Sequence, residues 1–333
     1  MTILPERLSA KALLTGASGF VGGRLRDALL DAGVDVVAIV RKSSPAPKRG
    51  RSVAADYDRV NELADLIAAE KPDFVFHVAG VTKGVDYDDF ARANVMPTRN
   101  LMRACERAHP ELRRFVLVSS LAAFGPSSPN LPHVESREPA PLEFYGRSKL
   151  EAERALADES KRVPYTILRP SGVYGPGDAD YFNLFREVSR GRNVYFGNRQ
   201  RWFSAVYVDD CVRAIVLAAL SGTTKGEGYF ICDGRPITWE TFQEEIVRAS
   251  GRRVMSLDLP ELLVDVAAFG GELLSRVDKK PRLFNRQKAL MGAQAAWTCS
   301  HEKAREHFGY RPAVAVEDGV RLAWQWYREQ GWL

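Results

Sequence analysis

The stretch Lys11-Ala12-Leu13-Leu14-Thr15-Gly16-Ala17-Ser18-Gly19-Phe20-Val21-Gly22 decides the fold of this 333-residue chain. Its first five residues predict a short buried strand, and the apolar spacing over residues 21–32 predicts a helix. Gly16 permits a tight turn, Gly19 lets backbone N–H groups approach a pyrophosphate, and Gly22 allows the helix to pack closely. The stretch therefore predicts the phosphate-binding turn of a βαβ unit, with the pyrophosphate at the helix N-terminus. The cofactor-binding residues predicted here are Gly16, Ser18, Gly19, Phe20, Val21 and Gly22.

Short apolar strands alternate with amphipathic helices over the following 200 or so residues. Strands that are apolar throughout indicate a sheet buried on both faces. Their alternation with helices predicts right-handed crossovers and a doubly wound parallel sheet. The predicted strands are residues 11–15, 34–40, 74–77, 115–119 and 165–168. The predicted helices are residues 21–32, 60–70, 90–108, 144–160, 209–220 and 316–330.

The strand–helix rhythm breaks after about residue 170, where Gly and Pro cluster. We expect an α/β fold in which a Rossmann-type sheet is accompanied by a smaller, mostly helical C-terminal capping domain. The NAD(P)-binding domain is predicted to comprise residues 1–170 and about 205–222. The substrate-binding cap is predicted to comprise about 171–204 and 223–333. Ligands of open α/β sheets bind at the carboxyl edge of the sheet, which the cap would cover.

The composition excludes several classes of protein. Lys and Arg number 47 against 42 Asp and Glu, and a net charge of +5 is too small to indicate nucleic-acid binding. The four cysteines show no CxxC or CxxH spacing, so neither a metal site nor a disulfide framework is predicted. No apolar run reaches about 18 residues, and the first residues lack the apolar core of a signal peptide. We expect a cytoplasmic protein without a membrane span.

The end of the second predicted strand bears on the choice of dinucleotide. An Asp or Glu there would bind the adenosine 2′-hydroxyl of NAD. The chain instead has Arg41 and Lys42, and Arg41 could pair with the 2′-phosphate of NADP. An arginine that simply ends a strand is the alternative interpretation. The pattern favours NADP(H) over NAD(H).

Three residues form a candidate catalytic group. Tyr145 and Lys149 are four residues apart in a predicted helix and therefore share one face. A nearby cation favours the tyrosinate, which would let the phenol exchange a proton near neutral pH. Ser120 follows the fourth long strand, where its hydroxyl could hold a substrate oxygen beside Tyr145. Ser120, Tyr145 and Lys149 are the predicted catalytic residues.

The chain resembles the extended short-chain dehydrogenase/reductase superfamily, the epimerase/dehydratase-like group. The motifs that carry the resemblance occur in the order typical of that group. They are TGASGFVG at 15–22, HVAG at 77–80, NVMPTRNL at 94–101, VLVSSLAAFG at 116–125, YGRSK at 145–149, LRPSGVYGPGD at 168–178 and VYVDDCVRAI at 206–215.

The resemblance implies a role for each matching residue. Tyr145 would be the general acid/base, Lys149 would hold the nicotinamide ribose and lower the Tyr145 pKa, and Ser120 would bind the reacting oxygen. Asn94 matches a helix Asn whose role varies, and a structural role is equally compatible with the match. Further cofactor contacts are implied for Asp56 and Tyr57 at adenine, Ala79 and Gly80 at the adenosine ribose and phosphates, and Pro170 and Val173 at nicotinamide. Helices 90–108 and 144–160 match those of a four-helix dimer interface, so a homodimer is expected.

Three functions remain open. The favoured one is an NAD(P)-dependent oxidoreductase that interconverts a carbonyl and a secondary alcohol of a small molecule, with a pattern closest to dihydroflavonol reductases and 3β-hydroxysteroid dehydrogenase-like members. A nucleotide-sugar 4-epimerase with tightly bound NAD is the alternative. A non-catalytic dinucleotide-binding regulator is the second alternative, although such members commonly lose the Tyr or the Lys. A 4,6-dehydratase is excluded because Leu121 and Ala122 stand where its acid–base pair would be.

Two later segments bear on this choice. Residues 196–203 include Arg199 and Arg201, which would suit a nucleotide diphosphate, but the segment could equally be a basic hairpin. Residues 257–274 form a long apolar stretch. We interpret it as a packed amphipathic helix, with an apolar wall around a hydrophobic substrate, or a membrane-surface contact, as the alternative.

Overall fold

The computed structural model describes residues 7–42, 46–262 and 286–333. Its strands are β1 (Lys11–Thr15), β2 (Asp35–Val40), β3 (Arg51–Ala54), β4 (Phe74–His77), β5 (Arg114–Val118), β6 (Tyr165–Pro170), β7 (Gly172–Tyr174), β8 (Arg192–Phe196), β9 (Trp202–Phe203), β10 (Ala205–Tyr207), β11 (Glu227–Ile231), β12 (Ile237–Thr238), β13 (Met255–Leu259) and β14 (Ala296–Trp297). Its α-helices are α1 (Phe20–Asp31), α2 (Val60–Glu70), α3 (Tyr87–Phe90), α4 (Met96–Ala108), α5 (Phe144–Glu159), α6 (Phe182–Ser189), α7 (Val208–Leu220), α8 (Trp239–Ser250), α9 (Arg286–Gly292), α10 (Glu302–Phe308) and α11 (Val316–Glu329).

The main sheet has seven parallel strands in the order β3-β2-β1-β4-β5-β6-β11. Neighbouring residues of β1 point to opposite faces, so Leu14 packs under α1 and α7 while Leu13 packs under α2 and α4. Strands β4 and β5 are buried along their whole length because helices cover both faces. The predicted doubly wound Rossmann sheet is confirmed.

The seventh strand corrects one predicted boundary. Strand β11 lies within residues 223–333, which were expected to belong to the cap, yet it extends the main sheet by pairing with β6. After α7 the chain turns back beside β6, and Gly228 makes room there for the side chain of Arg169. A Cβ atom at Gly228 would lie 2.5 Å from that guanidinium. The rest of the predicted division into sheet and cap stays a prediction.

The helix predicted over residues 90–108 is interrupted. Helix α3 ends at Phe90, a π-helical turn spans Ala91–Val95, and α4 then begins at Met96. Pro97 lies in the first turn of α4, where its missing N–H costs no hydrogen bond. The wider π turn places Asn94 inside the protein.

Residues after β6 build an aromatic second core between α6, α8 and α11. Its buried aromatic side chains are Tyr174, Phe185, Phe203, Tyr207, Phe242, Trp324 and Tyr327. The segment 196–203 is not a hairpin, because β8 pairs with β13 whereas β9 pairs with β12 and β14.

The apolar stretch over residues 257–274 was predicted as a helix, but it begins as a strand. Residues 257–259 belong to β13, because they pair in parallel with β8. Residues 263–274 lie outside the described residues. Within the described ranges, no helix combines the length and the apolar character that a bilayer crossing requires.

Candidate active site

The turn between β1 and α1 has no space for side chains at two of its glycines. Gly16 has a φ of +74°, and a Cβ atom there would lie 2.7 Å from the backbone N of Ala79. A Cβ atom at Gly22 would lie 2.1 Å from the carbonyl O of Gly16. No side chain caps the start of α1 at Gly19, and the first turn contains no acidic residue. The free N–H groups and the close backbone packing fit the pyrophosphate of a dinucleotide.

A hydroxyl group joins this turn to the end of β4. The Oγ1 of Thr15 accepts hydrogen bonds from the backbone N–H groups of Val78 and Ala79, at 3.1 and 3.0 Å. The same oxygen lies 2.8 Å from His77 Nδ1. Ala79 is thereby fixed against Gly16, as the cofactor-binding prediction requires.

The His77 ring continues this hydrogen-bonded chain. Its Nε2 lies 3.0 Å from Thr98 Oγ1, and that hydroxyl donates to the carbonyl O of Asn94 at 2.7 Å. Because the Thr98 proton is used there, His77 Nε2 carries the ring proton and Nδ1 accepts from Thr15. Burial lowers the pKa of His77 to about 3, so the ring is neutral. His77 opens the HVAG motif at 77–80, but its role could not be predicted from the sequence.

Asn94 uses its whole side-chain amide within the protein. Its Nδ2 donates to Ser148 Oγ at 2.8 Å and to the carbonyl O of Val81 at 3.1 Å, while its Oδ1 accepts from Val81 N at 2.8 Å. Ser148 precedes Lys149 on α5, so Asn94 ties the loop after β4 to that helix. This arrangement supports the structural interpretation of Asn94.

Lys149 lies close to the cofactor-binding residues after β4. Its buried ammonium donates to the carbonyl O of Val118 at 2.7 Å, and a Cβ atom at Gly80 would lie 3.7 Å from Lys149 Nζ. Burial lowers the pKa of Lys149 to about 8, although the charge of Glu153 opposes that shift. The ammonium form therefore persists at neutral pH.

The Tyr145 phenol shares a hydrogen bond with the Ser120 hydroxyl. A hydrogen bond with the Ser120 hydroxyl lowers the pKa of Tyr145, but burial has the larger effect and raises that pKa to about 12. The charges of Glu143 and Asp180 act in the same direction as burial. The expected lowering of the Tyr145 pKa is therefore not found in the protein alone, because burial disfavours the tyrosinate.

The predicted adenine-side residues cluster at the end of β2. Arg41 and Lys42 are exposed, and the charge of Arg41 acts on Tyr57. The Tyr57 hydroxyl donates to the carbonyl O of Ile39 at 3.1 Å. Asp56 accepts a hydrogen bond from the backbone N–H of Asp58 and forms an ion pair with Arg59.

The two residues predicted beside the nicotinamide lie after the central strands. Pro170 is buried and ends β6, next to β5, where Ser119 N donates to the carbonyl O of Leu168 at 2.7 Å. Val173 lies in β7 and pairs with Val206 of β10. Both residues are therefore at the carboxyl edge of the sheet.

The fold also forms a cavity of about 310 Å³. It is lined by Asp180, Tyr181, Leu184, Tyr195, Phe196, Asn198, Arg199, Arg201, Trp239, Gln243 and Gly292. The charge of Asp180, one of these lining residues, also acts on Tyr145. Sequence reasoning missed this cavity, because its lining comes from separate segments that only the fold brings together.

Carboxylates already pair with both arginines of the cavity. Arg199 lies 3.3 Å from Glu240 and 3.7 Å from Asp258, and Arg201 forms an ion pair with Glu261. The positive charge of this wall is therefore balanced within the protein.

The glycine turn, the doubly wound sheet and the placement of Ser120, Tyr145 and Lys149 are typical of a dinucleotide-binding Rossmann protein. The profile of the NAD dependent epimerase/dehydratase family matches residues 12–232. The chain belongs to that family, within the extended short-chain dehydrogenase/reductase superfamily, and the resemblance drawn from the sequence is confirmed.

Known relatives cover nearly the whole chain. A 3β-hydroxysteroid dehydrogenase/Δ5→4-isomerase from Mycobacterium tuberculosis is 30% identical, over 95% of this chain and 90% of its own length. A 2-alkyl-3-oxoalkanoate reductase from Stenotrophomonas maltophilia is 30% identical, over 93% of this chain and 97% of its own. The UDP-glucose 4-epimerase of Thermotoga maritima, solved with UDP-glucose, has a TM-score of 0.79 at 23% identity and covers 96% of this chain and 99% of its own, which shows the shared fold.

Proposed function

We propose that the chain is an NAD(P)-dependent oxidoreductase that interconverts a carbonyl and a secondary alcohol, with Tyr145 as the general acid/base. The observation that carries the proposal is the hydrogen bond between Ser120 and Tyr145, one helical turn before Lys149, whose ammonium lies beside Gly80. A bound nicotinamide dinucleotide supplies the hydride chemistry. The protein supplies the site, the orientation and the proton.

The protonation of Tyr145 favours its use as an acid. A pKa of about 12 keeps the proton on the phenol oxygen at neutral pH. A carbonyl oxygen held by the Ser120 hydroxyl would receive that proton as negative charge develops on it. Lys149, protonated below pH about 8, would hold the nicotinamide ribose next to Gly80. Carbonyl reduction is thus the direction that the charge states support.

The cavity supports an apolar substrate. Five of its eleven lining residues are aromatic or aliphatic, and its two arginines pair with carboxylates. Relatives named for a 3β-hydroxysteroid and for 2-alkyl-3-oxoalkanoates also point to apolar compounds with one reacting oxygen. We infer a small, largely apolar ketone or aldehyde as the substrate class.

A nucleotide-sugar 4-epimerase is the second candidate. Arg199 and Arg201 face the cavity, and the structural neighbours include UDP-sugar epimerases. This function would require a diphosphate to displace the carboxylate partners of both arginines. A non-catalytic regulator would leave the joint placement of Ser120, Tyr145 and Lys149 without a purpose.

NADP(H) is the proposed cofactor. Arg41 and Lys42 are exposed at the end of β2, beside Tyr57, where a 2′-phosphate would lie. Fluorescence titration should show tighter binding of NADPH than of NADH, and Arg41→Asp should narrow or invert the difference. Equal affinities in the native protein would contradict the proposal.

The oligomeric state and the cellular location of the protein are proposed from the sequence alone. Homodimerisation through α4 and α5 would be visible as twice the chain mass of 37.1 kDa in light scattering. A monomer at micromolar concentration would contradict it. A cytoplasmic location is likewise a proposal.

The experiment that tests the function is a panel assay. Purified protein and NADPH are mixed separately with aldehydes, flavanonols, sterol ketones and nucleotide sugars, and the loss of reduced nicotinamide absorbance is followed. The oxidoreductase proposal expects net consumption with an apolar carbonyl compound. Conversion of a nucleotide sugar without net consumption would favour the epimerase instead.

A further inference from the structure

The start of α5 is capped by an unusual residue. The Oε2 of Glu143 accepts the backbone N–H of Tyr145 at 2.6 Å, and its Oε1 accepts that of Gly146 at 2.8 Å. The common caps at such positions are Ser, Thr, Asp and Asn, whose side chains are shorter. Glu143 is only 4% exposed, so a carboxylate is enclosed two residues before the catalytic phenol.

The first turn of α5 is held from a second side. A Cβ atom at Gly146 would lie 2.2 Å from the carbonyl O of Ala122 and 2.9 Å from Glu143 Oε1. Ala122 belongs to the short turn that begins directly after Ser120. The Ser120 hydroxyl accepts a hydrogen bond from the Ala122 N–H at 3.1 Å. Gly146, whose N–H Glu143 accepts, therefore packs directly against the turn that follows Ser120.

Burial raises the pKa of Glu143 above its usual value, and its two backbone N–H donors and the nearby Lys288 oppose that rise. Hydrogen bonds to the ionised form stabilise that form. The groups that act on the Tyr145 phenol are Ser120 from the end of β5, Glu143 from the start of α5, and Asp180 from the segment before α6.

We propose that Glu143 is a positioning residue for Tyr145, whose carboxylate fixes the first turn of α5 and keeps the proton on the phenol until a substrate oxygen takes it. The inference rests on the proposed function. In reduction, the O–H bond of Tyr145 would break with its electron pair left on the phenolate oxygen, and the proton would bond to the oxygen of a substrate carbonyl whose carbon takes up the hydride that a bound reduced nicotinamide would supply. The charges of Glu143 and Asp180 then favour return of a proton from solvent to the tyrosinate.

The test measures the ionisation of Tyr145 directly. Protein labelled with ¹³C at tyrosine Cζ is titrated by NMR, and the Tyr145 resonance is assigned with Tyr145→Phe. Glu143→Gln keeps the side-chain length and removes the charge. Loss of one partly buried charge is expected to lower the Tyr145 pKa by about 1 unit, which is about a tenfold larger tyrosinate fraction at a given alkaline pH.

Three further variants separate charge from structure. Glu143→Asp keeps the charge and should leave the titration close to that of the native protein. Asp180→Asn removes the other carboxylate without touching the helix cap, so it should shift the titration in the same direction even if Glu143→Gln fails to fold. Glu138→Gln makes the same chemical change at an exposed position and should have no effect.

The outcomes distinguish the inference from the proposed function. The inference is overturned if the Tyr145 titration is unchanged in a folded Glu143→Gln protein, or if Glu143→Asp and Glu143→Gln titrate equally. If Glu143→Gln does not fold, an unchanged Tyr145 titration in Asp180→Asn overturns it. The titration uses neither substrate nor cofactor. A shifted titration in a protein that reduces no carbonyl would therefore support the role of Glu143 and contradict the oxidoreductase function.

Discussion

At the level of single residues, burial moves the two titrating groups of α5 in opposite directions. Burial raises the pKa of Tyr145 to about 12 and lowers that of Lys149 to about 8, because in both cases it disfavours the charged form. Between these values both side chains are neutral. Below pH about 8, the site combines a phenol that can donate a proton with an ammonium group.

Tyr145→Phe should reduce turnover by a factor of about 10² to 10⁴, which is the range for loss of a general acid. The affinity for the dinucleotide should change little, because the phenyl ring is retained. Tyr165→Phe is the matched control, since Tyr165 begins β6 at the opposite edge of the sheet. Turnover and affinity are measured for both variants. Near-native turnover in Tyr145→Phe would exclude Tyr145 as the proton donor.

Dinucleotide binding should weaken above pH about 8. The folded pKa of Lys149 lies below its usual value of 10.5, so the ammonium is present below pH about 8 and is lost as the pH rises. The Kd should then increase by up to about tenfold for each pH unit. Fluorescence titration at several pH values measures it. Lys149→Met should bind weakly without this dependence, and a flat profile in the native protein would refute the role of Lys149.

At the level of elements, the junction of β1 and α1 depends on one close backbone approach. A Cβ atom at Gly22 would lie 2.1 Å from the carbonyl O of Gly16, whereas one at Gly23 would lie 3.5 Å from that of Ala17, an ordinary contact. Gly22→Ala should therefore distort the phosphate turn, cost about 1–3 kcal/mol of stability and weaken dinucleotide binding.

Gly23→Ala is the control for this substitution. It adds the same methyl group to the same helix, where Ala is favoured over Gly by about 1 kcal/mol. Denaturant unfolding and dinucleotide titration compare the two variants. Equal stability and equal affinity would show that the Gly16–Gly22 approach does not govern the turn.

The local sequence pattern was sufficient to predict the strands and helices around the dinucleotide turn. Residues 11–15, 60–70 and 74–77 were predicted with the bounds of β1, α2 and β4, because each is a continuous apolar run or a regular amphipathic stretch. Strand β3 was missed because it is short and partly exposed at the sheet edge. Strand β11 was assigned to the cap because its partner β6 lies some sixty residues away, and sequence spacing does not encode that pairing.

The residues of the candidate site likewise fall into those that the local sequence predicts and those that only the fold reveals. Tyr145, Lys149 and Ser120 follow from a helical spacing and a strand end. Glu143 escaped notice because glutamate is not a typical helix cap, and its role depends on how its carboxylate folds back onto α5. The direction of the Tyr145 pKa shift depends on burial, which becomes visible only in three dimensions.

At the level of the whole molecule, the cavity borders the aromatic second core. Leu184 of α6 lines the cavity and packs against that core. Leu184→Ala should raise KM for an apolar substrate about tenfold, the cost of losing part of an apolar wall. The dinucleotide Kd should not change.

Leu322→Ala is the control for the cavity wall. Leu322 is 37% exposed on α11, so its truncation should leave KM unchanged. Steady-state kinetics and dinucleotide titration are compared for both variants. An unchanged KM in Leu184→Ala, or a parallel loss of dinucleotide affinity, would contradict the assignment of the cavity to the substrate.

Isotope transfer tests the central claim most directly. The protein is incubated with reduced nicotinamide dinucleotide carrying two deuterium atoms at C4 and with the carbonyl compound found in the panel assay, and the product is analysed by mass spectrometry and NMR. The account predicts one deuterium on the carbinol carbon for each dinucleotide oxidised, formed about 10² to 10⁴ times more slowly in Tyr145→Phe than in the native protein. A product without deuterium, or an inverted sugar carbon with no net oxidation of the dinucleotide, would contradict it.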